Sequence, residues 1–270
     1  MRLVSAVILV LALLAATAAA FVWSGLYDIS ATDQHLAPTY YTIRKTMERS
    51  VARRAADIEV PALGAPEQVK RGVAIFRDHC IQCHGAPGVP PEPFAMGLTP
   101  LPTPLPRSGL DRSPAYLYWV IRHGIKMTGM PAWQYRMSDV EIWALVAFLK
   151  ALPFLSPEAY ANLEGTAIPF VEDRADRAPD SGRGKRALEQ YACVSCHEIP
   201  GMVGPEARLG PSLHGIGSRV MLGGVLPNTP ENMARWIVAP PAYAPGTAMP
   251  ALGVSERDAR DIAAHLATLK

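Results

Sequence analysis

The sequence predicts a mainly α-helical protein in which an apolar N-terminal helix precedes two tandem helical domains. Three observations predict this class. The run from Leu3 to Trp23 carries no charge. Two later segments repeat one plan, in which a short helical stretch, a cysteine motif, a loop rich in glycine and proline, and a closing amphipathic helix follow each other. No stretch shows the sustained alternation of apolar and polar residues that is typical of a half-buried β-strand.

The composition excludes several classes of protein. Hydrophobic residues make up 49% of the chain and charged residues 19%, so the chain can bury cores and is not broadly disordered. The net charge is +2 and no basic stripe is visible, which argues against a nucleic-acid partner. The 26 prolines favour rigid irregular loops over sheet.

The apolar N-terminal run is long enough to cross a membrane. A spanning helix needs roughly 20 residues, and the run from Leu3 to Trp23 meets that length. A cleaved secretory signal is the alternative, because Arg2, the apolar run and the small residues 18–20 resemble one. Trp23 and Tyr27 suit a membrane interface, which favours an uncleaved anchor. Both interpretations export the rest of the chain.

The repeated plan divides the chain into five parts. We expect residues 1–27 to form the transmembrane anchor or signal peptide, and residues 28–66 a juxtamembrane helix and linker. Residues 67–155 form the first predicted domain and residues 181–270 the second. Residues 156–180 are expected to link them with some helical content.

Each domain is expected to close with an amphipathic helix. Ser138 and Glu141 have the spacing of a capping box, and Ser255 and Asp258 form a near version of one. Apolar residues then recur at helical spacing: Ile142, Leu145, Val146 and Leu149 in the first domain, and Ala259, Ile262, Ala263, Leu266 and Leu269 in the second. By contrast, eight residues between Pro87 and Pro106 are proline, which predicts an extended loop with neither helix nor sheet.

All four cysteines lie in two copies of the motif Cys-x-x-Cys-His. The copies are Cys80, Cys83 and His84, and Cys193, Cys196 and His197. A thioredoxin-type disulfide would need a βαβ setting, which the sequence does not show. A zinc site would combine two distant pairs and leave a redundant histidine in each. Haem attachment uses every residue, because two thioethers hold the porphyrin and the histidine binds iron. The motifs therefore predict two covalently attached haem c groups.

Each domain has a methionine in a loop that precedes its closing helix. A thioether that binds haem iron raises the reduction potential and closes the iron to substrate. Met130 lies in Thr-Gly-Met-Pro and Met249 in Thr-Ala-Met-Pro, where the loop residues can hold a side chain rigidly. Met127 is expected to pack in the core or at the haem edge instead. The remaining alternatives are Met96, Met137, Met202, Met221 and Met233.

The other histidines and several aromatic residues have less specific expectations. His123, His214 and His265 are expected to lie in loops or at the surface rather than on iron. His79 is expected to point away from the ligand position, and His35, in the juxtamembrane stretch, is not expected to bind iron. Four aromatic residues either hydrogen-bond the haem propionates or pack as core side chains: Tyr116, Trp119, Trp133 and Trp236.

On these motifs both halves resemble class I c-type cytochrome domains, and the pair resembles a membrane-anchored dihaem cytochrome c. The resemblance covers residues 67–270. It implies that His84 and Met130 ligate one iron and that His197 and Met249 ligate the other. It also implies that the loop around Pro211 supplies a carbonyl that orients His197. In the first domain the proline-rich loop must serve, and the sequence does not indicate which residue does so.

These expectations define a function. An iron with two protein ligands has no open position, so we expect an electron-transfer protein without catalytic residues or a small-molecule substrate. The expected partners are redox proteins of a membrane respiratory complex. The chain would be a subunit of, or a donor to, a terminal oxidase or reductase. A cytochrome subunit of a periplasmic dehydrogenase is the alternative, and a dihaem peroxidase would need one displaceable ligand.

The expected location is the bacterial cytoplasmic membrane, with one span and both haem domains in the periplasm. The resemblance implies this side, since such proteins acquire haem outside the cytoplasm. The positive-inside rule favours the opposite side, because five basic residues follow the span: Arg44, Lys45, Arg49, Arg53 and Arg54. Long exported domains are translocated despite flanking charge, so we expect the periplasmic side.

Overall fold

The computed structural model describes residues 2–33, 35–168, 177–204 and 209–270. Its α-helices are α1 (Arg2–Ser24), α2 (Ala37–Ala55), α3 (Pro66–His79), α4 (Ile81–His84), α5 (Pro93–Met96), α6 (Leu105–Asp111), α7 (Pro114–His123), α8 (Asp139–Ala151), α9 (Pro157–Gly165), α10 (Ser181–Gln190), α11 (Pro230–Val238), α12 (Pro240–Tyr243) and α13 (Glu256–Leu266). Short 3₁₀ helices cover Trp133–Tyr135, Leu152–Phe154, Cys193–Ser195 and Ile216–Ser218. Strands β1 (Met221–Leu222) and β2 (Leu226–Pro227) pair antiparallel. Helix makes up 58% and strand 2%, which confirms the mainly α class.

Helix α1 stands apart from the rest of the protein. None of its side chains is buried, and it is long and apolar enough to cross a membrane. A helix satisfies its own backbone hydrogen bonds, as a membrane-spanning segment must. This helix therefore fits a single-pass membrane anchor.

Helix α2 packs against the first domain through α7. Arg112 donates a hydrogen bond of 3.1 Å to Glu48, and the Tyr116 hydroxyl lies 3.5 Å from the sulfur of Met47. Hydrogen bonds from Lys45, Arg112 and Arg44 outweigh the opposing effect of burial and lower the pKa of Glu48 to about 2. The juxtamembrane helix is thus joined to the first domain by polar and apolar contacts.

The first domain is built on a close crossing of α3 and α8. A Cβ at Gly72 would overlap the backbone of Ala144, so only glycine allows this approach. The predicted capping box begins α8, with Ser138 and Glu141 each bonded to the other's backbone. The predicted apolar face of α8 is buried, and α7, α6 and α9 pack around the pair.

The second domain repeats this crossing with α10 and α13. A Cβ at Gly184 would overlap the backbone carbonyl of Asp261. Ser255 caps α13 by accepting a hydrogen bond from the Asp258 amide. The predicted face of α13 is buried from Ala259 to Leu266, and α11 packs across it.

The prediction of a loop without helix between Pro87 and Pro106 was wrong in two places. Helix α5 forms one turn there, and α6 begins at Leu105. In both helices a proline occupies the first turn. An N–H in the first turn has no acceptor within the helix, so proline, which lacks an N–H, costs no hydrogen bond there, and its fixed φ suits the helix.

The segment after the first domain contains one helix. Helix α9 supplies the helical content that was expected in residues 156–180, of which residues 169–176 lie outside the described residues.

The β1–β2 hairpin was not expected, although Gly223 and Gly224 between apolar residues are a hairpin signal. Both glycines have a positive φ, as such a turn requires.

Candidate haem sites

The first cysteine motif forms one helical turn at the end of α3. The Cys80 amide donates to Phe76 O at 2.9 Å, and the His84 amide donates to Cys80 O at 3.0 Å. Residues four apart in a helix lie on one face, one turn apart. The turn therefore places the Cys80 thiol and the His84 imidazole on one side of the chain.

The second motif reaches the same hydrogen bonding by a different route. Helix α10 ends at Gln190, and a 3₁₀ turn carries Cys193. The His197 amide donates to Cys193 O at 3.0 Å, which matches the bond in the first motif. Ala192, just before the turn, has a φ of 55°, in the left-handed region that alanine rarely adopts.

Each motif histidine faces a backbone carbonyl. Nδ1 of His84 lies 3.0 Å from the carbonyl oxygen of Thr103, and Nδ1 of His197 lies 2.8 Å from that of Pro211. A carbonyl only accepts, so Nδ1 carries the proton in both rings and Nε2 keeps its lone pair for a metal. Pro211 is the acceptor expected from the sequence. Thr103 was not identified, because a backbone carbonyl has no signature in the side-chain pattern.

Glycine makes room for the second imidazole. A Cβ at Gly210 would lie 2.5 Å from Cε1 and 2.7 Å from Nδ1 of His197. The Gly210 amide also donates to Cys196 O at 2.8 Å, which fixes the loop on the motif. In the first domain, burial lowers the pKa of His84, and the Thr103 carbonyl opposes this only in part. A lowered pKa favours the neutral imidazole that binds a metal.

The two methionine loops share a hydrogen bond. The Met130 amide donates to Oγ1 of Thr128 at 3.1 Å, and the Met249 amide donates to Oγ1 of Thr247 at 3.2 Å. A side chain that accepts from the amide two residues later stabilises a tight turn. These threonine contacts were not predicted, although the repeat Thr-x-Met-Pro in the sequence marks both residues.

The structure associates Met130 with its motif more closely than Met249 with its own. Met130 packs against the buried cluster that contains Cys80, and Gly124 lets the loop at Met130 approach the end of α7. Met249 is half-buried in its loop. Met202, an alternative set aside from the sequence, packs against the cluster of the second domain together with Cys193.

The other methionines that were considered as ligands divide into buried and exposed residues. Met137 and Met233 are both 4% exposed and belong to the two cores. Met127 is 92% exposed with a φ of 58°, so it does not pack in the core, and packing at the haem edge stays a prediction. Met96 and Met221 are also exposed.

The five other histidines each have a neighbour outside the motifs. The rings of His79 and His123 lie against Trp133 and Trp119. His35 lies 2.9 Å from the Tyr27 hydroxyl, His214 lies 3.5 Å from Glu198, and His265 lies 3.1 Å from the Ser181 hydroxyl. Among the four aromatic candidates, Trp133 and Trp236 pack against the two cores, and Tyr116 contacts α2.

The zinc and disulfide alternatives find no support in the described part of the chain. All four cysteines are free thiols. No group of three or more His, Cys, Asp or Glu side chains converges there on a metal-sized site. Burial raises the pKa of Cys80 to about 12 and that of Cys193 to about 11, which disfavours the reactive thiolate form of these two cysteines.

The residues present fit haem c in both domains. Two free thiols, an imidazole held by its Nδ1 proton and a methionine loop occur in each. When bound, haem c supplies an iron that takes up and releases one electron. The four motif cysteines would attach the group, His84 and His197 would bind its iron through Nε2, and a methionine loop in each domain would offer a thioether. Fold and motifs together define the c-type cytochrome class.

Comparisons with known proteins give the same class. Residues 67–149 match the family model for cytochrome c oxidase, cbb3-type, subunit III, and residues 181–270 match the model for cytochrome c. The chain therefore carries two cytochrome c-type domains behind an apolar N-terminal helix, which fits a membrane-anchored dihaem cytochrome c. Such domains imply covalently bound haem c.

One relative comes from a respiratory enzyme. A protein named cytochrome c oxidase subunit 2, from Alkalihalophilus pseudofirmus, is 34% identical over 128 residues. The alignment covers 47% of this chain and 35% of the relative, so the chain matches about a third of that protein's length. No solved structure matches the chain significantly. The domains and this relative support electron transfer in a respiratory context.

Proposed function

We propose that the chain is a dihaem electron carrier of a respiratory chain, held at the membrane by α1. It carries single electrons between protein partners and performs no catalysis of its own. One haem c is attached in residues 67–155 and the other in residues 181–270. Cys80, Cys83, Cys193 and Cys196 form the thioethers.

One observation carries this proposal. In both domains the motif histidine has its Nδ1 proton on a backbone carbonyl, at 3.0 and 2.8 Å, which leaves Nε2 free to ligate. Each domain also holds a methionine in a Thr-x-Met-Pro loop with the same internal hydrogen bond. His84 with Met130 and His197 with Met249 are the proposed axial pairs. Two protein ligands on each iron favour electron transfer over peroxide or substrate chemistry.

The proposed partner is a terminal oxidase or reductase complex. The name of the relative and the description of the first-domain family support an oxidase more than a dehydrogenase. The proposed location is the periplasmic face of the bacterial cytoplasmic membrane, with α1 as a single span.

A potentiometric titration of the purified chain tests the electron-transfer function. We expect two one-electron waves and a six-coordinate spectrum for both haems in both oxidation states. Hydrogen peroxide turnover by the fully reduced and half-reduced protein should stay at the level of a small carrier cytochrome. A high-spin haem together with rapid peroxide turnover would favour a dihaem peroxidase and contradict the proposal.

Fractionation of membranes tests the anchor. We expect the chain to remain in the membrane pellet after a high-salt wash and to be released by detergent, because an apolar helix and not surface charge holds it. A variant that lacks residues 2–24 but carries a cleavable export signal is the control and should be soluble. Release of the full chain by salt alone would argue for a cleaved signal.

A further inference from the structure

The two domains meet at the segment that follows Met130. This segment, residues 131–137, joins the methionine loop to α8 and is termed the connector. Trp133 packs against the core of the first domain. Ala132 and Tyr135, at 7% and 9% exposed, are instead buried in the core cluster of the second domain. The connector therefore packs against the cores of both domains.

A buried tyrosine of the second domain bonds the connector. The Tyr191 hydroxyl lies 2.8 Å from the carbonyl oxygen of Tyr135 and 2.9 Å from Oδ2 of Asp258, so the two acceptors share its single proton. Tyr191 is 4% exposed and Asp258 is 2% exposed, so water does not compete for these bonds. Burial, reinforced by the charge of Asp258, raises the pKa of Tyr191 to about 12. The phenol thus remains a donor at ordinary pH.

An arginine of the connector strengthens the contact from the other side. Nη2 of Arg136 donates to the carbonyl oxygen of Gln190 at 3.1 Å. The Arg136 guanidinium also lies 5.1 Å from the ring centroid of Tyr191, within range of a cation–π interaction. Both contacts cross from the first domain to the second.

These contacts lie next to both proposed haem sites. Met130 directly precedes the connector, and Tyr191 is two residues before Cys193. Within its own loop, the Met130 backbone has two short-range bonds, from its amide to Thr128 and from the Ile125 amide to its carbonyl. Loops with few bonds of their own open most readily. Contacts from outside the loop therefore contribute to holding Met130 in place, together with its packing against the first-domain core.

We propose that the second domain clamps the methionine loop of the first. Tyr191 and Arg136 are positioning residues that hold the connector, so the stability of Met130 as a ligand depends on a domain to which Met130 does not belong. This inference rests on the proposed function, because it takes Met130 as an iron ligand.

The test uses the full chain in detergent with both haems attached. Tyr191→Phe removes the donor, and Arg136→Ala removes the second contact. Tyr160→Phe is the matched control, because Tyr160 in α9 is a tyrosine buried against the first-domain core whose hydroxyl has no hydrogen-bond partner in the described structure. The first readout is hydrogen exchange of the Arg136 and Met137 amides, which both donate to Trp133 O at 2.8 Å.

The second readout is the absorption band of the iron–methionine bond, followed through a denaturant titration. It is measured in a Met249→His background, so that the band reports on Met130 alone. We expect Tyr191→Phe to open the connector and to release Met130 about fivefold more readily, the ratio that corresponds to one lost hydrogen bond of about 1 kcal/mol. Arg136→Ala should act in the same direction, and Tyr160→Phe should change neither readout.

Two results would overturn the clamp. One is unchanged exchange at Arg136 and Met137 in both variants. The other is a Tyr191→Phe effect confined to the second domain, which would mean that the hydroxyl serves Asp258 alone. If instead the unmodified protein showed no iron–methionine bond in the first domain, the proposed ligand would be wrong, and the exchange of the two amides would still test the clamp.

Discussion

The two carbonyl oxygens that face the motif histidines come from unlike surroundings. Thr103 belongs to a proline-rich loop, whereas Pro211 follows a glycine whose Cβ would collide with His197. Both nevertheless fix the proton on Nδ1 and leave Nε2 as the metal-binding atom. The orientation of each histidine therefore depends on the position of a backbone carbonyl and not on the type of residue that supplies it.

Replacing the proposed sixth ligands tests them residue by residue. Met130→His and Met249→His should each lower one midpoint potential, because imidazole favours the oxidised iron more than a thioether does. We expect a drop on the order of 0.1 V or more, within the roughly 0.8 V over which axial ligands tune haem. Potentiometric titration checks this.

The two variants also serve as controls for each other. The wave that Met130→His shifts should stay in place in Met249→His, and the reverse should hold. If neither wave moved, the assignment of both methionines would be wrong.

Sequence reasoning reached the proposed site residues that belong to a motif, and it did not identify the backbone carbonyl that faces His84. Cys80 and His84 follow from their spacing, and Met130 from its Thr-Gly-Met-Pro context. Thr103 could not be predicted, since its carbonyl is supplied by the path of a long loop. Thr128 was within reach, because the same residue type precedes both candidate methionines by two positions.

At the scale of elements, one glycine in each domain permits the crossing of the first and last helices. Gly184→Ala would place a methyl group on the carbonyl of Asp261. Neither backbone can move without separating α10 from α13, so we expect a loss of about 3 kcal/mol in the stability of the second domain. Denaturant unfolding followed by the absorbance of the second haem measures it.

A matched substitution shows whether the helix crossing is the cause. A Cβ at Gly165 in α9 would have no atom within 4 Å, so Gly165→Ala should change stability by less than about 1 kcal/mol. Equal effects of the two substitutions would contradict the close-crossing explanation.

A buried carboxylate gives α13 a pH-dependent anchor. Asp261 is 1% exposed and accepts hydrogen bonds from Arg183, Arg177 and the Asp180 amide. Burial raises the pKa of this carboxyl, but these bonds outweigh it, so the pKa lies below its ordinary value. The resulting stability is present above the unfolded pKa of about 3.9 and is lost as the pH falls through the folded value.

Asp261→Asn should therefore destabilise the second domain most at neutral pH. We expect about 2 kcal/mol, a figure reduced from that of a fully buried pair because Arg177 and Arg183 are partly exposed. The difference from the unmodified chain should shrink as the pH falls below about 4. Glu67→Gln, in an exposed pair with Lys70, is the control. A difference that did not change with pH would contradict the ionic explanation.

Element prediction succeeded where periodicity and caps agree. The face of α13 and the capping box of α8 were both readable, because apolar spacing and polar caps act locally. Proline content misled the prediction between Pro87 and Pro106. Proline breaks a helix interior but is tolerated in a first turn, and composition alone does not distinguish these positions.

At the scale of the whole molecule, the contacts between parts lay beyond sequence reasoning. The Glu48–Arg112 pair joins α2 to the first domain, and Tyr191 joins the second domain to the connector. Each partner is separated from the other by more than fifty positions, and no local pattern links them. Two cytochrome c-type domains were predictable from repeated motifs, but the way they pack was not.

Intact-mass spectrometry of the purified chain tests the central claim most directly. Covalent attachment survives denaturation, so the denatured chain should carry the added mass of two haem groups. Cys80→Ala with Cys83→Ala should remove one of them and leave the other in place. A native chain whose mass equals that of the polypeptide alone, or of the polypeptide with a single haem, would contradict the account.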